Sequence, residues 1–312
     1  MLLPVTVTPV KLIIDTDPGV DDAIAILMAL ASPDVEVVGL TTVGGNVPSA
    51  RSTRNALALL QAAGRGDIPV ARGATRPLRG RYPYSPEFHG PGGLSSRLPD
   101  PTIRHVGEGA VHFLYDQLTL ERGEVVLVAL GPLTNLARLR RERPIALEMA
   151  KNIVIMGGAV NTPGNVTPKA EFNFYSDPVA AEIVLFSRIP VTLVDLAACR
   201  QVGISREQAL GLHSAHPLGR LVLDLLQGWF RREPSRQRFK FYDPLALAIA
   251  LDPAIATIVK VDLDVGLEEN DCWGETTESG VPGWISLPKR VDSARFFRLL
   301  EGLLELEGLP AS

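Results

Sequence analysis

The chain has 312 residues, a formal net charge of −4, 46% hydrophobic and 21% charged residues. This composition describes a soluble globular protein with ample core, and without a basic stripe or an RNA-type aromatic motif it argues against nucleic acid as a partner. Cys199 and Cys272 are the only cysteines, too few for a disulfide framework and without metal-type spacing, which fits a reducing, cytoplasmic setting.

The N-terminus has two early prolines and no Lys before Lys11, so it does not read as a signal peptide. The apolar run Ala23–Ala31 is far short of a membrane span. Lys11–Ile14 reads as a strand and Asp21–Ala31 as a helix. Val35–Val43 is a continuous apolar strand ending in Gly44-Gly45-Asn46, Ser49–Ala63 has helical spacing, and Ile68–Ala71 is a short strand. Residues 74–105 are rich in proline, glycine and arginine without a sustained period, and read as one long loop, of the kind that is usually functional or mobile. Regularity resumes with a helix Gly109–Leu120, a strand Val125–Leu130, a helix Leu133–Arg140 and a strand Ile153–Met156. A helix Pro178–Leu185, a strand Val191–Val194, helices Arg206–Leu212, Leu218–Phe230 and Pro244–Leu251, a strand Ile258–Leu263 and a closing helix Ser293–Leu306 complete the chain.

Apolar strands alternating with helices predict an α/β fold, a mostly parallel central sheet covered on both faces, in a single domain spanning 1–312. Ligands in such sheets bind where strands end. Asp15–Asp17, Gly45-Asn46, Leu130-Gly131 and Met156-Gly157 all stand at strand exits, so they converge on one candidate cleft.

The chemistry concentrates in Asp15, Asp17, Asp21 and Asp22. Four carboxylates within eight positions repel, and burying an unpaired one costs several kcal/mol, so a cation or a set of donors must compensate them. Oxygen clusters suit a hard divalent ion, Ca²⁺ or Mg²⁺; the plain alternative is helix capping by Asp21 and Asp22. Asp243 is a further acid, or simply an N-cap ahead of Pro244. Asn165, Glu171 and Asn173 offer the donors and acceptors that grip vicinal hydroxyls, although Asn165 could equally serve a turn after Pro163-Gly164.

Together these pieces closely resemble the inosine–uridine-preferring nucleoside hydrolase family. DTDPGVDDA (Asp15–Ala23) matches that family's N-terminal signature, and VGGN (Val43–Asn46), HGPGGL (His89–Leu94), ALGPLTNLA (Ala129–Ala137), IMGGAV (Ile155–Val160), AEFNFYSDP (Ala170–Pro178) and YDPLA (Tyr242–Ala246) follow in order. The resemblance implies a Rossmann-like nucleoside hydrolase fold and Ca²⁺ held by Asp17, Asp22, Asp243 and the backbone carbonyl of Leu130. It further implies a ribose site from Asp21, Asn46, Asn165, Glu171 and Asn173, with Met156 and Phe172 lining the sugar pocket and Asp15 orienting the loop. The implied reaction is hydrolysis of the N-glycosidic bond of a ribonucleoside, with Asp17 as general base, in a homodimer or homotetramer.

One position departs from the pattern. Several family members carry His immediately before the late Asp, as an acid for the leaving base, and here that residue is Tyr242. A phenol with a pKa near 10 is a poor acid at neutral pH. His89 is a candidate donor, and Trp229 with the arginines after it occupies the segment where the family forms its base pocket. Two rival functions remain at this level: a Mg²⁺-dependent phosphatase and a non-catalytic ribose- or nucleoside-binding protein.

Overall fold

The computed structural model describes residues 8–103, 106–107, 109–187, 189–280 and 283–310. The N-terminal stretch expected not to be a leader therefore lies outside the described residues through position 7, as do positions 104 and 105 of the irregular stretch.

The central sheet has nine strands in the order Ala256–Val261, Ile285–Val291, Val191–Val194, Asn152–Met156, Val125–Ala129, Val10–Thr16, Val35–Thr42, Val70–Arg72 and Val106–Gly107. All neighbours run parallel except the pair Ala256–Val261 and Ile285–Val291 at one edge. The mostly parallel arrangement agrees with the strand and helix alternation of the sequence. Interior strands such as Val125–Ala129 are buried throughout, which is why they read as unbroken apolar runs.

Helices cover both faces. Val20–Ala31, Pro217–Arg232, Tyr242–Leu251 and Ser293–Leu304 pack together over one side, and Ala110–Leu120, Thr134–Glu142 and Pro178–Leu185 over the other. The helix Val20–Ala31 buries all but its last two residues. Each large aliphatic chain among them, Ile24, Ile26 and Leu27 included, contributes roughly 1.5–3 kcal/mol of transfer free energy, which offsets the desolvation of Asp21 and Asp22 on its first turn.

Several features differ from the sequence reading, three of them in the sheet and the irregular stretch. The strand Ile285–Val291 lies inside the sheet although ISLPKRV shows no strand pattern; Pro288 and two cations interrupt it, and the proline is accommodated beside a register irregularity between Thr257 and Ile258. The strand expected over Ile258–Leu263 is instead Ala256–Val261, with Leu263–Val265 pairing separately with Thr276–Glu278. The 74–105 stretch contains one helical turn, Pro86–His89.

The chain order explains the site's location. From Val10–Thr16 the sheet grows in one direction through Val35–Thr42 and Val70–Arg72, then returns to the other flank of Val10–Thr16 with Val125–Ala129. Connections therefore diverge on either side of these two adjacent strands and leave a crevice at their carboxyl ends. Asp17 and Leu130 stand at that crevice.

Candidate active site

The loop after Val10–Thr16 turns at once into the helix Val20–Ala31, whose N-cap is Gly19. Asp21 and Asp22 thus occupy its first turn, where the N-terminal partial charge favours carboxylates. Asp22 is held firmly: Oδ1 accepts from the Thr16 hydroxyl at 2.5 Å and Oδ2 from the Gly19 N–H at 2.9 Å. Asp243 reaches the same place from the first turn of Tyr242–Leu251, where Phe241 rather than Asp243 is the N-cap. Asp21, Asp22 and Asp243 bring one carboxylate oxygen each to within 4.8 Å of one another.

Asp17 stands beside this trio, between two glycine turns. A Cβ on Gly45 would lie 2.0 Å from its Oδ2, and one on Gly131 2.6 Å from its Oδ1. Its Oδ2 accepts from the Asn46 N–H at 2.5 Å. Asp15 sits behind, accepting from the Thr41 hydroxyl and from Asn135 Nδ2 at 2.7 Å, while its carbonyl receives the Leu130 N–H at 2.8 Å. It holds the two strand exits in register. Thr41 and Asn135 were not singled out in the sequence; the packing of Thr134–Glu142 against the sheet brings Asn135 there.

These carboxylates are fully or almost fully buried, and burial is the first cause of every shift among them. It drives Asp17 well above the ordinary range, reinforced by the neighbouring Asp22 charge. Asp243 rises likewise, with Asp21, Asp22 and Asp17 adding repulsion. Asp21 is pushed up to about 8 and Asp15 to about 7. Among the described residues no Lys or Arg pairs with any of them; His89 places Nδ1 3.7 Å from Asp21 Oδ1. Oδ1 of Asp17 and Oδ1 of Asp21 are buried without a hydrogen-bond partner among the described residues. Hard oxygen donors, unpartnered oxygens and uncompensated negative charge are what a divalent cation requires. The residues fit one.

A cavity of about 570 Å³ opens above the acids, within the range that accepts a small organic ligand. Asp21, Asn46, Leu130, Met156, Asn165, Glu171, Phe172, Asn173, His89, Tyr242 and Asp243 all border it, so residues spread over the whole chain meet there. Asn173 Nδ2 donates to the Leu130 carbonyl at 2.7 Å. Glu171 caps the helix Phe172–Ser176, accepting from the Asn173 and Phe174 N–H groups and from Gly158 N–H; burial still lifts it to about 7. Asn46 spans the site, with Nδ2 3.3 Å from Asp22 Oδ2 and Oδ1 accepting from Ser85. Asn165 lies at the exposed rim.

Pro83, Tyr84, Ser85, Glu87, Phe88 and His89 form one stretch of the cavity wall, of which the sequence had indicated only His89. No periodicity marks such a wall; a proline-rich stretch between a short strand and a helix was the sole signal. Burial holds His89 down at about 3, and its Nδ1 accepts from the Val20 N–H at 3.1 Å. It is therefore a neutral imidazole carrying its proton on Nε2. Tyr242 is pushed above the ordinary phenol range by burial. Trp229 does not border the cavity; it is buried behind Phe88, edge-on at 5.3 Å between centroids.

Residues 12–298 match the sequence profile described as inosine-uridine preferring nucleoside hydrolase. The chain belongs to this family. It is 39% identical over 282 residues to uridine nucleosidase 1 of Arabidopsis thaliana, covering 88% of this chain and 83% of that protein. It is 37% identical over 275 residues to a pyrimidine-specific ribonucleoside hydrolase of Shewanella baltica, covering 86% and 83%. A plant nucleoside hydrolase structure superposes with a TM-score of 0.86 at 33% identity, covering 97% of this chain and all of the other. A purine-preferring ribonucleoside hydrolase from Gardnerella vaginalis superposes at 0.84, with 29% identity and 95% and 99% coverage. This nucleoside hydrolase family member is thus an enzyme acting on N-glycosyl compounds, and the phosphatase and non-catalytic readings fall away. The family is metal-dependent, in keeping with the buried acids. Among the described residues no helix is long and apolar enough to cross a membrane.

Proposed function

We propose that this enzyme hydrolyses the N-glycosidic bond of ribonucleosides with Ca²⁺ as its cofactor, giving ribose and a free base. The observation that carries this is the buried acidic cluster at the divergence of the two central strands, with unpartnered oxygens on Asp17 and Asp21. Asp17, Asp22, Asp243 and the Leu130 carbonyl would hold the ion, and an all-oxygen set completed by water and a sugar diol suits calcium's seven or eight positions. Bound there, the ion would neutralise the acids, orient the ribose diol and lower the pKa of a water molecule.

The protein's own residues supply the rest. Asp21, Asn46, Asn165, Glu171 and Asn173 grip the ribose hydroxyls, and Met156 and Phe172 face the sugar. Asp17 takes a proton from water as the oxygen attacks C1′ and the bond to the base breaks. Positive charge builds on the sugar ring in such a transition state, and preorganised carboxylate and amide oxygens around it lower its energy. Asp15 supports the loop from behind.

The leaving base takes the electron pair of the broken bond. Tyr242, held protonated, can donate a hydrogen bond but is a weak acid, and His89 offers its Nε2–H. This favours a base that departs without full protonation by a strong acid, as uracil can by spreading charge over its carbonyl oxygens. The names of the Arabidopsis and Shewanella relatives point the same way, so uridine is the first substrate to try. The test is base release from uridine, cytidine, inosine, adenosine and guanosine, each with and without chelator. Pyrimidine release abolished by chelator is the expected result; no release from any of the five overturns the proposal.

A further inference from the structure

Arg236, in the link between the helix Pro217–Arg232 and the strand Arg238–Lys240, grips the back of the cavity wall. Its Nη2 donates to the carbonyls of Glu87 at 2.6 Å and Phe88 at 3.0 Å, and its Nη1 to the carbonyl of Trp229 at 2.9 Å. The guanidinium carbon lies 4.1 Å from the Trp229 ring centroid and 5.7 Å from that of Phe88. Arg232 adds a bond to the Pro86 carbonyl at 2.8 Å.

The recipient is the single turn Pro86–His89, which is too short to satisfy its last carbonyls internally. Its start is tied by Ser85 to Asn46 and its end by His89 Nδ1 to the Val20 N–H. Those two anchors lie on the cavity side. Arg236 supplies the third, from outside, and places a cation at the negative end of the turn. A planar guanidinium can meet three carbonyls while stacking on two rings; an ammonium cannot do both. Arg236 itself does not border the cavity.

We propose that Arg236 is the positioning residue of the base end of the site: it sets where Phe88 and His89 stand and hence how the leaving base is held. The proposal rests on the reading of the cavity as the nucleoside site, with ribose over the carboxylates. The ribose end draws its geometry from Asp21, Asn46, Glu171 and Asn173, none of which touches Arg236.

The experiment compares the wild type with Arg236→Lys, Arg236→Gln and Arg236→Ala. It measures kcat and KM on the best nucleoside, inhibition by free ribose, and recovery of Arg236→Ala by added methylguanidine. Loss of the clamp should lower kcat/KM roughly 10- to 100-fold, the scale of a small misplacement, and leave ribose inhibition within about twofold, because the turn's link to the ribose end, Ser85 to Asn46, does not pass through Arg236. Arg236→Lys should fall between wild type and Arg236→Gln, and methylguanidine should restore part of the Arg236→Ala loss. An unchanged kcat/KM in Arg236→Gln overturns the proposal, as does ribose affinity falling in step with kcat/KM, which would mean general disruption. Should the Gln and Ala variants not fold, a wild-type kcat/KM in Arg236→Lys overturns it. Failure of ribose to inhibit even the wild type would instead bring down the site reading, and this proposal with it.

Discussion

The backbone N–H of Asn46 donates to Oδ2 of Asp17 at 2.5 Å, across 29 positions of sequence and two parallel strands. One carboxylate oxygen is thereby anchored while the other, Oδ1, is buried with no hydrogen-bond partner among the described residues. A single hydrogen bond thus decides which oxygen of Asp17 is left for chemistry.

Asp17→Asn keeps an acceptor for the Asn46 N–H but removes the base. Turnover should fall by at least about 10²–10⁴-fold, the usual contribution of general-base catalysis, because the change also removes a carboxylate that would hold the ion, and any fall in thermal midpoint should be recovered by raising Ca²⁺. Steady-state base release and a melting curve on the same sample provide the check, and near-wild-type kcat would remove Asp17 from this role.

Gly45→Ala tests the anchor from the other side. The added Cβ would sit 2.0 Å from Asp17 Oδ2 and 2.8 Å from Pro132 Cδ, and neither buried group can retreat freely. Activity should drop by at least about tenfold, a misplacement effect, while Gly44→Ala meets only the Tyr82 ring at 2.6 Å and should cost stability more than turnover. Equal kinetics for Gly45→Ala and the wild type would show that Asp17 is not held as described.

Removing the metal should both silence and loosen the enzyme. An ion that binds only the folded state at a hundred times its Kd stabilises by about 2.7 kcal/mol, so chelation should lower the thermal midpoint by several degrees. Added Ca²⁺ should restore both properties. A melting curve and activity indifferent to chelator would contradict the cation reading of the cluster.

Glu171 should leave a signature in stability against pH. Its folded pKa, about 7, lies above the ordinary 4.5 because burial penalises the charged form. Below about pH 4.5 both states keep the proton and nothing is lost; as pH rises the unfolded chain releases it first. Stability therefore declines between about 4.5 and 7, by roughly 3 kcal/mol at most for a shift of this size. Glu171→Gln should flatten that decline in urea midpoints taken at pH 5 and 7.5, and an undiminished slope in the variant would assign the effect elsewhere.

Local pattern alone determined a good deal about this protein. Strands buried on both faces read as near-continuous apolar runs, so most of Val10–Thr16, Val35–Thr42 and Val125–Ala129 was legible, and with them the strand exits where the acids stand. The DTDPGVDDA signature carried the family because its four acids and Gly19 serve one compact loop and helix start. The strand Ile285–Val291 was not legible, since its neighbours rather than its own residues make it a strand. Nor was the spatial arrangement of the acids: Asp21, Asp22 and Asp243 bring oxygens together while Asp17 stands beside them between Gly45 and Gly131, a consequence of how two helices and two strand exits pack. The wall from Pro83 to His89 and its clamp by Arg236 depend on contacts between segments some 146–149 positions apart. Such contacts leave no periodicity in either segment. Tertiary packing alone decided them, because a carbonyl at the end of one turn accepts whatever donor the fold delivers to it.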